Sequence, residues 1–167
     1  MKLKEISKNN KGDYGISASS SPYNNIEPEY LRITDITDSS YVSFPLPTVI
    51  SVKDYPDYEN YYLQPGDIVF ARTGNSAGRN YFFDLDKKIV FAGFLIRFNI
   101  NHPDFIPKYV GYYCQSRNYW KQIGTFFNGS TRNNVNAEQL GELIIPKQPL
   151  EIQQHIVDTN EKEVSYV

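Results

Sequence analysis

Apolar and polar positions give the chain a strand-like rhythm from residue 30 to residue 98 and a helical one beyond it. YLRITDI (30–36) sets Leu31, Ile33 and Ile36 against Arg32, Thr34 and Asp35, which predicts a strand. DIVFAR (67–72) is apolar on both faces apart from its ends and follows a Pro-Gly turn at QPGD (64–67). A strand pair is expected over 81–98: YFF, a turn at DLDKK (84–88), then IVFAGFLIRF. Its run IVFAGFLI (89–96) is the most hydrophobic in the chain and is expected at the centre of a sheet. The stretch 37–66 holds Pro45, Pro47, Pro56 and Pro65 around one short apolar piece, TVISV (48–52). It reads as loop with short edge strands, because proline cannot serve a central ladder.

From Pro107 the period changes. Tyr109, Tyr112, Tyr113, Trp120 and Ile123 recur near helical spacing, predicting one helix over 106–123 that Gly124 ends. NAEQLGELIIP (136–146) reads as a helical turn leading into a strand, LIIP. PLEIQQHIVDTNEKEV (149–164) enters a helix at proline and carries an apolar stripe of Ile152, Ile156 and Val157. The fold class is therefore α+β: a strand-rich mixed globular domain with a C-terminal helix.

Two polar loops punctuate this pattern. ARTGNSAGR (71–79) follows the apolar strand, and NGSTRNN (128–134) follows the aromatic helix. SASSSPYNN (17–25) is a third polar stretch with turn chemistry. The first loop is no phosphate-cradling P-loop: three residues separate Gly74 from Gly78, and Arg79-Asn80 stand where Lys-Ser/Thr is needed. Both loops offer Arg, Asn, Ser and Thr, which suit base edges and phosphates. Glycine and asparagine also occur there simply because turns need positive φ.

Charge sharpens the comparison. The net value of −2 hides a basic middle between acidic flanks: residues 1–65 carry −3, residues 66–135 carry +5 and residues 136–167 carry −4. A local positive field is what a polyanion meets. Aromatic content is high, with fourteen Tyr and ten Phe, and supports a rival reading as an aromatic platform that binds carbohydrate. Tyr109, Tyr112, Tyr113, Tyr119 and Trp120 would form that platform, although an aromatic stripe at helical spacing more often packs a core.

Catalytic chemistry finds no footing. His102 and His155 are far apart, Cys114 is alone and reads as core, and no carboxylate pair has metal-ligand spacing. SSPYN (20–24) has only a faint likeness to the Pro-Pro-aromatic element of amino-methyltransferases, and no glycine-rich cofactor turn accompanies it. No cofactor or metal is expected. No apolar run approaches the roughly 18 residues of a membrane helix, and MKLKEISKNNKG has no apolar stretch after its lysines. The single cysteine fits a reducing compartment, so a cytoplasmic location is expected.

Taken in order, these elements resemble one target-recognition domain of a type I restriction–modification specificity subunit. The resemblance rests on YLRITDI (30–36), LQPGDIVFARTGNSAG (63–78), VFAGFLIRF (90–98), YVGYYCQS (109–116), GSTRNNV (129–135) and IPKQPLEIQQHI (145–156). It implies a non-catalytic DNA reader. Family members carry two such domains joined by long helices packed as an antiparallel coiled coil, and each domain reads half of a split site. Methyltransferase subunits dock on that frame, and motor-nuclease restriction subunits add cleavage. The resemblance assigns residues 1–148 to the DNA target-recognition domain and 149–167 to the start of the spacer helix. Arg72, Thr73, Asn75, Ser76, Arg79, Ser130, Thr131, Arg132 and Asn134 are the expected DNA-facing residues. Ile152, Ile156 and Val157 are the expected dimer or subunit interface, or equally a stripe that folds back on its own domain. After Pro149 about 15 helical residues, roughly 22 Å, remain. That is short for a spacer and suggests a half subunit, a truncation or an excised piece, which would pair as a homodimer or with a second half subunit.

Overall fold

A computed structural model of the chain describes residues 1–127 and 133–165. Its eight strands are β1 (Asp13–Tyr14), β2 (Ser21–Pro22), β3 (Glu29–Leu31), β4 (Thr48–Val49), β5 (Asp67–Ala71), β6 (Asn80–Phe83), β7 (Ile89–Phe91) and β8 (Leu95–Asn99). Its α-helices are α1 (Pro107–Tyr113), α2 (Arg117–Thr125), α3 (Ala137–Gly141) and α4 (Leu150–Ser165).

β5 is the axis of the molecule. It pairs antiparallel with both β6 and β8, in a sheet ordered β1-β8-β5-β6, and all five of its residues are buried. Side chains alternate across a strand. Ile68 and Phe70 thus join a core with Val110, Tyr119 and Ile123 of the helices, while Val69 and Ala71 join a second core with Leu31, Ile89 and Phe91. The second sheet runs β2-β4-β3-β7, with β3 and β7 parallel. Its far side, Tyr30 and Val90, is covered by Ile16, Ile50 and tyrosines 55, 58, 61 and 62. Helices, sheet and sheet form three layers, with β5 apolar on both faces because it is sandwiched.

The predicted central run is where pattern and fold part. Residues 89–96 form two strands in different sheets, β7 at the edge of one and β8 inside the other. The chain turns between them at Ala92–Leu95, closed by a hydrogen bond from Leu95 N–H to the Ala92 carbonyl at 2.9 Å. At this corner the N-terminal segment crosses so closely that a Cβ on Gly15 would lie 2.0 Å from the Ala92 carbonyl oxygen. Continuous hydrophobicity reported burial for most of the run, Phe94 excepted, but not partnership. For the same reason 81–83 and 89–98 do not make a single strand pair.

Two other boundaries shift for local reasons. The strand expected at 30–36 stops at Leu31, because Asp35 accepts from the Arg32 backbone N–H (2.8 Å) and guanidinium, curling Ile33–Asp35 into a 3₁₀ turn. The single helix over 106–123 is two helices: the Ser116 hydroxyl accepts from Tyr119 N–H at 3.2 Å and starts α2 afresh. Of the strand expected at LIIP, Ile144 makes an isolated bridge to Lys2.

Candidate nucleic-acid interface

The loop after β5 is closed by backbone hydrogen bonds, from Gly78 N–H to the Ala71 carbonyl (2.8 Å) and from Ala71 N–H to the Arg79 carbonyl (2.7 Å). Gly78 sits at φ +93°, and a Cβ there would lie 2.8 Å from Trp120 Cζ3. Backbone conformation and packing both require glycine. Asn80 is buried beneath, donating to the Gly78 and Cys114 carbonyls at 3.2 and 2.7 Å. Gly78 and Asn80 thus build the loop rather than face outward.

The second polar loop joins the first. Thr73 bridges Asn134 in antiparallel fashion, Gly74 N–H donates to the Asn133 carbonyl (3.0 Å), and Val135 N–H donates to the Arg72 carbonyl (2.9 Å). The two loops, some sixty residues apart in sequence, therefore share one surface. Asn75, Asn133 and Asn134 are exposed on it; Arg72, Thr73, Ser76 and Arg79 are half-buried. The Ser76 carbonyl accepts from Arg79 N–H at 2.9 Å, and Arg79 Nη1 reaches the Ile36 carbonyl at 3.5 Å. Ser130, Thr131 and Arg132 lie outside the described residues.

The guanidinium of Arg72 lies over two rings, 5.2 Å from the centroid of Tyr14 and 5.6 Å from that of Phe94. It has no hydrogen-bond acceptor or carboxylate partner among the described residues. Other basic residues of the middle segment are neutralised within the fold: Lys87 by Glu29, Arg97 by Asp13 and Asp67, Lys108 by Asp84 and Glu161. Those without a carboxylate partner among the described residues include Arg72 and Arg79, and also Arg117 and Lys121 on the exposed face of α2. Trp120 shares that face and lies against Gly78, so α2 and the loop form one positive surface.

Sequence reasoning passed over Tyr14, Phe94, Arg117 and Lys121. Phe94 hid inside an apolar run, where the preceding glycine was the available sign of a bend. Arg117 and Lys121 stand four apart on a helix and were legible as a pair. The aromatic stripe divides: Tyr109 and Tyr119 are core, Tyr112 and Tyr113 are half-buried, and Trp120 is exposed. Cys114 is fully buried and its thiol pKa is pushed up by that burial, which disarms it as a nucleophile.

The apolar stripe of α4 divides. Val157 is 5% exposed, packed in the core of its own domain, and Ile156 packs partly against the same core. Ile152 alone of the three is exposed.

The type I restriction modification DNA specificity domain, as a family, matches residues 1–162. The chain belongs to that family. No curated relative matches this specificity domain. Solved structures share its fold. A type I restriction–modification assembly aligns with a TM-score of 0.68 at 19% identity, over 99% of this chain and 38% of that one. The HsdS subunit of Thermoanaerobacter tengcongensis gives 0.70 at 16%, over 99% and 42%. The S subunit of M. genitalium gives 0.60 at 14%, over 95% and 37%. The specificity domain thus spans about two fifths of these chains. Among its described residues no helix is long and apolar enough to cross a membrane, and no group of His, Cys, Asp and Glu could hold a metal ion.

Proposed function

We propose that this chain is a non-catalytic target-recognition domain that reads one part of a split double-stranded DNA site. It acts in the cytoplasm, where it directs methyltransferase subunits, and with them restriction subunits, to that site. The observation that carries the reading is the joined surface of loop 72–79 and residues 133–134, with Arg72, Arg79, Arg117 and Lys121, which have no carboxylate partner among the described residues. Family membership supports the DNA reading and lends nothing to the carbohydrate alternative. On this reading residues 1–148 form the reader, and the helix beyond Pro149 begins the spacer towards a second such domain. Phosphates are met by Arg79, Arg117 and Lys121, and Ser130, Thr131 and Arg132 are further DNA contacts on this reading.

The test is duplex binding across a salt series. Binding weakens steeply with salt in the parent. In the doubly substituted Arg117→Ala/Lys121→Ala protein, affinity is lower and the log–log salt slope shallower by about 0.9 per lost phosphate contact. An unchanged slope would remove the α2 face from the interface.

A further inference from the structure

Nothing yet distinguishes Arg72 from the other cations of this surface, and its surroundings do. Lysines and arginines that hold phosphates need only charge and reach. Arg72 is different in three respects. Its guanidinium is packed over Tyr14 and Phe94, both within the range at which a ring attracts a cation. Its backbone is also fixed, the N–H donating to the Phe94 carbonyl at 3.1 Å and the carbonyl accepting from Val135 N–H at 2.9 Å. Its side-chain N–H groups nevertheless have no acceptor among the described residues. The conformational cost of ordering a long side chain is thus met before any ligand arrives, while the donor edge stays open.

The neighbours indicate what that edge meets. Phe94 is 57% exposed at the corner between β7 and β8, and Tyr14 is 42% exposed, its hydroxyl accepting from Ala137 N–H at 3.1 Å. A phosphate, charged and hydrated, gains nothing from a bare phenyl ring beside its ligand. The major-groove edge of a base pair does: guanine offers two adjacent acceptors to an arginine fork, and a neighbouring thymine offers a methyl group to an apolar side chain. Exposed Asn133 and Asn134 lie along the same rim.

We infer that Arg72 reads a guanine through its open donor edge, and that Phe94 and Tyr14 are positioning residues that hold its plane. This rests on the DNA reading above and assigns a base contact within it. The experiment is selection from a randomised duplex pool, sequenced, for the parent, Arg72→Lys, Phe94→Ala and Phe94→Tyr proteins in parallel. Arg72→Lys keeps the charge and loses the fork. Preference for guanine at one position falls on the order of tenfold, while preference at the other positions holds. Phe94→Ala weakens preference at that same position, and Phe94→Tyr, which keeps the ring, restores it. An Arg72→Lys motif identical to the parent's overturns the inference. So does an equal loss of preference at every position, or a Phe94→Ala effect on thermal midpoint alone. A parent that binds duplex but enriches no motif overturns the base contact and leaves DNA binding standing. A parent that binds no duplex at low salt overturns the DNA reading and this inference together.

Discussion

Arg72 and Arg97 stand close together on the central sheet, one just beyond the end of β5 and the other in β8 opposite Val69. Both lie over aromatic rings, Arg97 at 4.7 Å from the Phe91 centroid. Arg97 is satisfied: it donates to the Tyr62 carbonyl at 2.7 Å and the Asn60 carbonyl at 3.3 Å, and it approaches Asp67 and Asp13 at 3.6 and 3.5 Å. Among the described residues Arg72 has the stacking without the acceptors. The same residue type, from the same basic stretch of sequence, is a structural bolt in one place and is proposed as a base contact in the other. Local positive charge does not separate the two; the hydrogen-bond partners do.

Substituting both arginines alike tests the contrast. Arg97→Met should cost about 3–5 kcal/mol, because it leaves the Asp67 carboxylate buried without its cation. Urea denaturation measures this, and a loss below about 1 kcal/mol would mean that Asp67 relaxes or loses its charge at little cost. Burial already holds the Asp67 pKa above its ordinary value, against the opposing pull of Gln64 N–H, Asn99 and Arg97. A raised carboxyl pKa favours the folded state when protonated. The Arg97→Met deficit should therefore be largest at neutral pH and shrink on acidification through that raised pKa. Arg72→Met should cost less than about 1 kcal/mol of stability, the size of an exposed cation–π contact. Its effect should appear instead in affinity for a selected duplex. Comparable stability losses in the two variants would erase the distinction.

The smallest effect concerns a third use of cations. Lys2 and Lys4 both pair with Glu142, at 2.7 and 2.6 Å, tying the N-terminal turn to the residue after α3. Hydrogen bonds from those lysines hold the Glu142 pKa down to about 2, from 4.5. A depressed carboxyl pKa contributes stability above its unfolded value and loses it as pH falls. Glu142→Gln should thus lower the thermal midpoint slightly at neutral pH and flatten the acid limb between pH 4.5 and about 2. An acid limb identical to the parent's would show that the solvated pair contributes nothing.

The frame was more legible than the surface it carries. The apolar run of β5, the turn at Pro65-Gly66 and the proline-entered final helix all express strong local preferences, and each appears in the fold. Several motif residues behind the family resemblance prove to be scaffolding. Leu63 fills the second core, Asp67 accepts from Gln64 N–H and Asn99, and Gln153 is buried with all its polar atoms used. The break in 89–96 had only Gly93 for a sign, because an apolar run looks the same whether one strand or two supplies it. At the site, the polar character of the two distant loops followed from their composition; their backbone pairing did not. Nor did the exposure of Phe94: an exposed phenylalanine differs from a core one only in where the chain turns, and that turn depends on the crossing of Gly15.

Gln153 gives the last helix a mechanical character. Its amide accepts from Ile106 N–H and donates to the Asp104 and Gln148 carbonyls, each at 2.8 Å, near the start of α4. Further along, Glu161 braces the helix against Lys108 and Tyr112. The helix is thus a lever with its fulcrum at one amide. A tilt of about 5° there would swing the tip of a 16-residue helix by roughly 2 Å. On the proposed function, loosening that fulcrum would leave the DNA-facing loops in place and shift the tip of the helix relative to them.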